Sequence, residues 1–159
     1  MAFFRAVEFL GLSIWLGSDV FLSFVVAPGA FSVLAGRDQA GAIVGYSLTR
    51  MHWMGVICGV LLLLLRVART RTVASLAAPA ALCVLLMILL TVTSQLAVSP
   101  KMAALRVQMG SIQAAAADNP LLAEFSRLHR VSVALESAVL LAGFAALYLL
   151  VRETAACVP

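Results

Sequence analysis

Long apolar stretches alternate along the chain with short polar breaks. Four stretches approach the roughly 20 residues that cross a bilayer as a helix: about residues 3–27, 41–67, 73–98 and 128–151. The second is richest in leucine, at residues 61–65, and the third has no charged residue between Thr72 and Pro100. The runs are continuous rather than alternating. They are also longer than the about 9–11 residues of a barrel strand, which argues against a transmembrane β-barrel. The pattern predicts an all-α fold: an integral membrane four-helix bundle, with residues 1–159 forming a single transmembrane domain.

The breaks predict how the helices begin and end. Asp38 is placed to cap a helix that runs straight into the second span. In SPKMAALRVQ, Ser99 reads as an N-cap with Pro100 at the first helical position, and Asn119-Pro120 repeats that arrangement at the head of the fourth span. Helices 2 and 4 should then overshoot the bilayer, since thirty-odd residues at about 1.5 Å each reach on the order of 45 Å. The bundle is therefore expected to carry helical extracytoplasmic extensions. The break RVARTR, residues 66–71, reads as a short loop with three arginines and no acid. By the positive-inside rule it lies in the cytoplasm, which puts both termini there; the expected location is a bacterial inner (plasma) membrane. The N-terminus imitates a signal peptide, with Arg5 before apolar residues. Glu8 and Asp19 interrupt that run, and it is expected to remain as the first span.

Composition agrees with the pattern. The chain is 64% hydrophobic and 11% charged, with a mean hydropathy of +1.09, against about 45–50% and about 25% in soluble domains. The lipid bilayer is thus the main partner. The net charge of +4 comes from residues flanking apolar segments, with no basic run interleaved with aromatics, so a nucleic-acid partner is not expected. Cys58, Cys83 and Cys157 show no ligand spacing and read as small hydrophobes. Cys58 and Cys83 fall at similar depth, where a disulfide is a remaining option. GAIVG and GVICG, residues 41–45 and 55–59, are small-xxx-small patterns suited to packing within the bundle. The oligomeric state stays open.

Ionisable residues inside membrane spans are functional candidates and face the bundle interior. Glu8, Trp15, Asp19 and Ser23 share one face of the first span at 3.6 residues per turn. Gly45, His52 and Gly59 share a face of the second, and His129, Glu136 and Gly143 a face of the fourth. Thr91 and Gln95 are an i, i+4 polar pair on the third. With the topology above, Asp19, His52, Gln95, His129 and Glu136 converge on one outer-leaflet pocket, with Arg50 or Arg130 at its rim. Glu8 stands apart near the inner surface, to be neutralised by Arg5 or Arg152.

Three kinds of chemistry fit these residues. His52 and His129 could ligate a haem iron, or a metal ion with a carboxylate. Alternatively the polar residues only hold helices together, as buried ion pairs can. No H-E-x-x-H, G-x-S-x-G, P-loop or C-x-x-C motif occurs, so no catalytic residues are assigned and an enzyme is not expected.

WLGSDVFLSFVVAPGAF, RMHWMG, VSPKMAALR and FSRLHRVSVALESAVLL together resemble one family: small four-helix membrane proteins typified by eukaryotic transmembrane protein 205, with bacterial relatives described as a domain of unknown function. More distantly the layout is similar to CopD-type copper-resistance membrane proteins. The resemblance places family signature positions at Trp15, Gly17, Ser18, Ala27, Pro28, Phe31, Pro100, Leu128, His129 and Ser132. Asp19 and Glu136 lie outside that signature. Since the eukaryotic member is associated with platinum-drug resistance, the resemblance implies handling of a metal or metal complex. The leading expectation is a non-enzymatic membrane protein handling a metal ion or small solute at a polar outer-leaflet site. The alternatives are a haem-binding redox protein and a structural or assembly subunit.

Overall fold

A computed structural model describes residues 2–155, which are helical almost throughout and contain no strand. Four helices are long and apolar enough to cross a membrane, as the all-α bundle expectation requires. Helix α1 runs through Ala2–Phe21, a π-helical turn at Leu22–Val26, and Ala27–Val33. Helix α2 is Arg37–Thr70. Helix α3 runs through Pro79–Thr93, a second π-helical turn at Ser94–Val98, and Ser99–Met109. Helix α4 is Pro120–Ala155.

The two π turns explain why the first and third helices outrun their expected ends. By sequence, Pro28 marks a helix end and Pro100 a fresh helix start. Instead each sits inside a helix, two residues beyond a π turn. Proline lacks an N–H and its ring collides with the carbonyl four residues back. A widened turn moves that carbonyl aside and lets the helix continue. Ser99 is accordingly helical (φ −58°, ψ −43°) and not a cap.

Other ends follow local chemistry. Asn119 caps α4 as expected: its Oδ1 accepts from Leu121 N at 2.9 Å, and Pro120 opens the helix. Asp38 does not cap α2, which begins after Gly36. Its carboxylate instead accepts from Ser111 Oγ at 2.6 Å and from Ile112 N at 2.9 Å, fastening the α3–α4 connection to the head of α2. RVARTR is not a loop. Helix α2 continues to Thr70 and stops where Arg71 adopts a left-handed conformation (φ 59°), its N–H donating to Val67 O at 2.8 Å. The chain then turns through a 3-10 segment, Val73–Ala77, whose entry is capped by Thr72 Oγ1 accepting from Ala74 N. Helices α2 and α4, at 34 and 36 residues, do overshoot a bilayer core of about 30 Å.

The helices form a ring in which each packs on two others. Contacts are most extensive within the sequential pairs α1–α2 and α3–α4, and α2–α3 and α1–α4 close the ring. Leu12, Trp15 and Leu16 of α1, Leu62 of α2, Val84 and Met87 of α3, and Val139, Ala146 and Leu150 of α4 fill the centre. Phe3, Phe24, Leu64, Leu89 and Leu141 point outward, the surface a lipid solvent would favour. Cys58 and Cys83 are free thiols, and Cys157 lies outside the described residues.

The GVICG pattern packs within the bundle. Gly55 and Gly59 make the bed for the Trp15 indole, so that a Cβ on Gly55 would lie 2.4 Å from its Nε1 and one on Gly59 2.6 Å from its Cζ3. Gly55→Ala is therefore expected to overpack this contact and destabilise by about 1–3 kcal/mol. Thermal unfolding in detergent checks this, and adding Trp15→Phe should give a combined loss smaller than the sum of the two.

Candidate functional site

Each of the four helices contributes one member to a buried polar cluster. Asp19 comes from α1, His52 from α2, Gln95 from α3 and Glu136 from α4. His52 is 1% exposed and Asp19 fully buried. The imidazole bridges the bundle: Nδ1 lies 2.9 Å from Gln95 Oε1 and Nε2 lies 3.0 Å from Glu136 Oε2. The second contact joins α2 to α4, which are diagonal partners in the ring. Asp19 neighbours both Glu136 and His52, and its Oδ1 accepts from Ser23 Oγ one turn on, at 3.4 Å.

The helix register brings these residues together. Asp19 lies one turn beyond Trp15, and His52 about one turn from Gly55, against which Trp15 packs. Gly143 meets Leu16 and Met87, and Glu136 is two turns from Gly143 while Gln95 is two turns from Met87. The Trp15 layer thus forms the floor of the cluster. Because α1 and α3 continue past their prolines, all four members fall near the middle of their helices rather than toward one end.

As placed, the Gln95 oxygen and the Glu136 carboxylate both present acceptors to His52, an arrangement completed when the imidazole carries two protons. A turned Gln95 amide would offer an N–H instead. Two carboxyl oxygens, Asp19 Oδ2 and Glu136 Oε1, are buried without a hydrogen-bond partner. Two neighbouring carboxyl groups out of water cannot both ionise cheaply, and one proton between them satisfies both. On α3, Thr91 and Ser94 are each 1% exposed and keep their hydroxyl oxygens unpartnered. Ser94 escaped the sequence reading, although it stands six residues before Pro100, inside the turn that the proline distorts.

His129 does not join. It is exposed, despite the seven-residue spacing that links it to Glu136. The buried stripe of α4 runs through Ser132, Val139, Ala146 and Leu150. Glu136 and His129 flank that stripe, each three residues before one of its members. Glu136 is covered beside His52, with 13% of its side chain exposed, while His129, a heptad nearer the start of α4, is exposed. His52, with both nitrogens engaged, and His129 are not assembled as a ligand pair. Among the described residues no group of three or more His, Cys, Asp or Glu side chains has a metal-holding arrangement. Arg50 lies over the Tyr46 ring, 5.1 Å from its centroid. It lines a lateral groove of about 330 Å³ with Ser18, Leu22, Met51 and Met54, the sequence neighbours of Asp19 and His52. Arg130 is exposed.

Glu8, expected to meet Arg5 or Arg152, is instead clasped by Arg69, whose Nε and Nη2 donate to its two oxygens at 3.0 and 3.2 Å. Of the resemblance positions, Trp15 forms the floor of the cluster, Pro28 follows the first π turn, and Gly17 faces open space.

Fold and cluster together define an integral membrane helical bundle built around a buried ionisable network. A family model described as a domain of unknown function (DUF4149) matches residues 10–111, and the chain belongs to that family. The matched region contains Asp19, His52 and Gln95 but ends before α4. No curated protein and no solved structure matches the chain.

Removing one partner from a buried hydrogen bond leaves the other unsatisfied, at about 1–3 kcal/mol. Glu136→Leu should therefore lower stability by that amount, and Glu136→Gln, which keeps an acceptor for His52 Nε2, by clearly less. Denaturant unfolding of both variants in the same detergent measures the difference.

Proposed function

We propose that this protein handles a small cation, the proton foremost, through the cluster Asp19–His52–Gln95–Glu136. The observation that carries the reading is the pair of buried, unpartnered carboxyl oxygens on neighbouring acids beside a doubly engaged imidazole. An imidazolium, one carboxylate and one shared proton leave the group neutral, which suits an apolar surrounding. Adding or removing that proton changes the charge of the whole cluster. Ionisable residues in this setting mark ion pathways and proton relays. The partly exposed Glu136 is the member best placed to exchange a proton, and the groove between α1 and α2 lined by Ser18, Arg50, Met51 and Met54 offers room for a small solute next to the helix segments that carry Asp19 and His52.

The resemblance to the transmembrane protein 205 type belongs to this reading as a pointer toward cationic cargo. The orientation that accompanies it puts the Arg66–Arg71 end in the cytoplasm. A second reading, that the cluster is a staple, draws on the fact that every helix supplies one member.

The two readings separate on conservative variants. Infrared difference spectra over a pH titration are expected to show a protonated-carboxyl band in the wild type that Asp19→Asn and Glu136→Gln each remove, with thermal stability largely kept. Proteoliposomes containing a pH-sensitive dye should show proton movement that the same variants abolish. A wild type without the band or the movement would overturn the proton reading. Variants that lose stability while wild-type proton movement is absent would leave the staple.

A further inference from the structure

A second polar centre lies at one end of the bundle, where α1, α2 and α4 meet. A cavity of about 320 Å³ opens there, lined by Arg5, Glu8, Arg66, Arg69, Thr70 and Glu153 at its polar side and by Phe9 and Leu150 below. We propose that this cavity binds a singly charged phosphate-type anion, presented either as the headgroup of an anionic phospholipid or as free inorganic phosphate.

Charge is the first argument. Three arginines face two glutamates in the lining, which leaves one positive charge uncompensated. Arg69 is committed to Glu8 through two hydrogen bonds. Arg66 Nη2 lies 3.0 Å from both oxygens of Glu153. Among the described residues, Arg5 has no acid within ion-pair distance. The surplus charge is therefore that of Arg5, at the cavity wall.

Donor accounting is the second. Arg66 is 5% exposed. Its Nε donates to Ser75 O at 3.0 Å, its Nη2 to Glu153, and its Nη1 is buried with no partner. A guanidinium carries five donors and no acceptor, and a planar oxyanion or phosphate is the partner its fork matches. An ion-paired arginine that only neutralised Glu153 would have no reason to bury a further N–H unsatisfied. Position is the third argument. The polar wall stands at a helix-bundle end and the apolar wall, Phe9 and Leu150, continues toward the hydrophobic part. Basic pockets between helices at a membrane surface recognise acidic lipid headgroups in this way, with the first acyl carbons lying on the apolar side.

The test uses the whole protein in mild detergent, with two probes. Native mass spectrometry after incubation with phosphatidylglycerol or with zwitterionic phosphatidylcholine reads lipid retention, and thermal unfolding with added inorganic phosphate reads the free anion. Wild type should retain phosphatidylglycerol over phosphatidylcholine. Arg5→Gln removes the surplus charge at a residue that pairs with no described acid, so the fold should persist while retention weakens about tenfold, as loss of one charge-assisted hydrogen bond implies. Arg66→Lys keeps the charge for Glu153 but loses the fork, and should weaken retention similarly. Arg37→Gln, an exposed arginine at the opposite end of α2, should change nothing. Phosphate that raises the melting temperature and displaces the lipid would identify the free anion as sufficient. Equal retention of both lipids with no effect of phosphate overturns the proposal, and so does an equal loss in Arg37→Gln. None of these readouts depends on proton movement at the Asp19 cluster.

Discussion

A hydrogen bond across the diagonal of the helix ring organises this protein. His52 on α2 reaches Glu136 on α4 at 3.0 Å, between helices whose backbones make little contact and which meet again near one end, at Arg66–Glu153. In lipid the hydrophobic effect gives little reason for one helix to prefer another, so packing and interhelical hydrogen bonds set the arrangement. An imidazole at the centre with partners on two other helices fixes the rotation and height of α2, α3 and α4 relative to one another. Asp19 then determines the face α1 must turn inward. Trp15, one turn below, can lie flat on α2 only because Gly55 and Gly59 have no side chains.

Pro28 and Pro100 belong to the same arrangement. Asp19 stands nine residues before Pro28 and Thr91 nine before Pro100. Ser23 and Gln95 each stand five before. The buried polar residues of α1 and α3 thus occupy equivalent positions relative to a π turn. A π turn inserts one residue into the helix and rotates the facing of every later position. The polar positions fall just before or inside that shift, and the helix beyond it is re-aimed without breaking.

How much of this is readable from the sequence depends on the range of the signal. Span existence and the inward faces of Asp19, His52, Gln95 and Glu136 follow from local periodicity, and periodicity is a property of the helix alone. Errors arise where a second helix decides. Pro28 and Pro100 carry strong stop signals, but a π turn relieves the clash and neighbouring helices reward continuation. Asp38 has the chemistry of a cap, yet Ser111 and Ile112, more than seventy residues away, claim its oxygens. Arg66 and Arg69 look like part of a topogenic loop because their acids, Glu153 and Glu8, come from the two ends of the chain. His129 shows the limit of the seven-residue rule: it shares a face with Glu136, but that face flanks the buried stripe, and the neighbouring helices decide where along it a residue is covered.

The two polar centres are insulated from each other. Glu8 and Asp19 are eleven residues apart on α1, about 16 Å at 1.5 Å per residue. The space between is occupied by Leu12, Trp15, Leu16, Leu62, Met87, Val139 and Ala146, all buried. Close-packed apolar side chains leave no chain of donors and acceptors along which a proton could pass. Both oxygens of Glu8, at the lower end of that block, are engaged by Arg69. In the conformation described, no polar route therefore joins the Asp19 cluster to the Glu8 end of the bundle. Passage to that end would require the Trp15 layer to part. Its bed of Gly55 and Gly59 brings α1 and α2 into close approach there, so a small movement of α1 against α2 at this level would open space beside the indole.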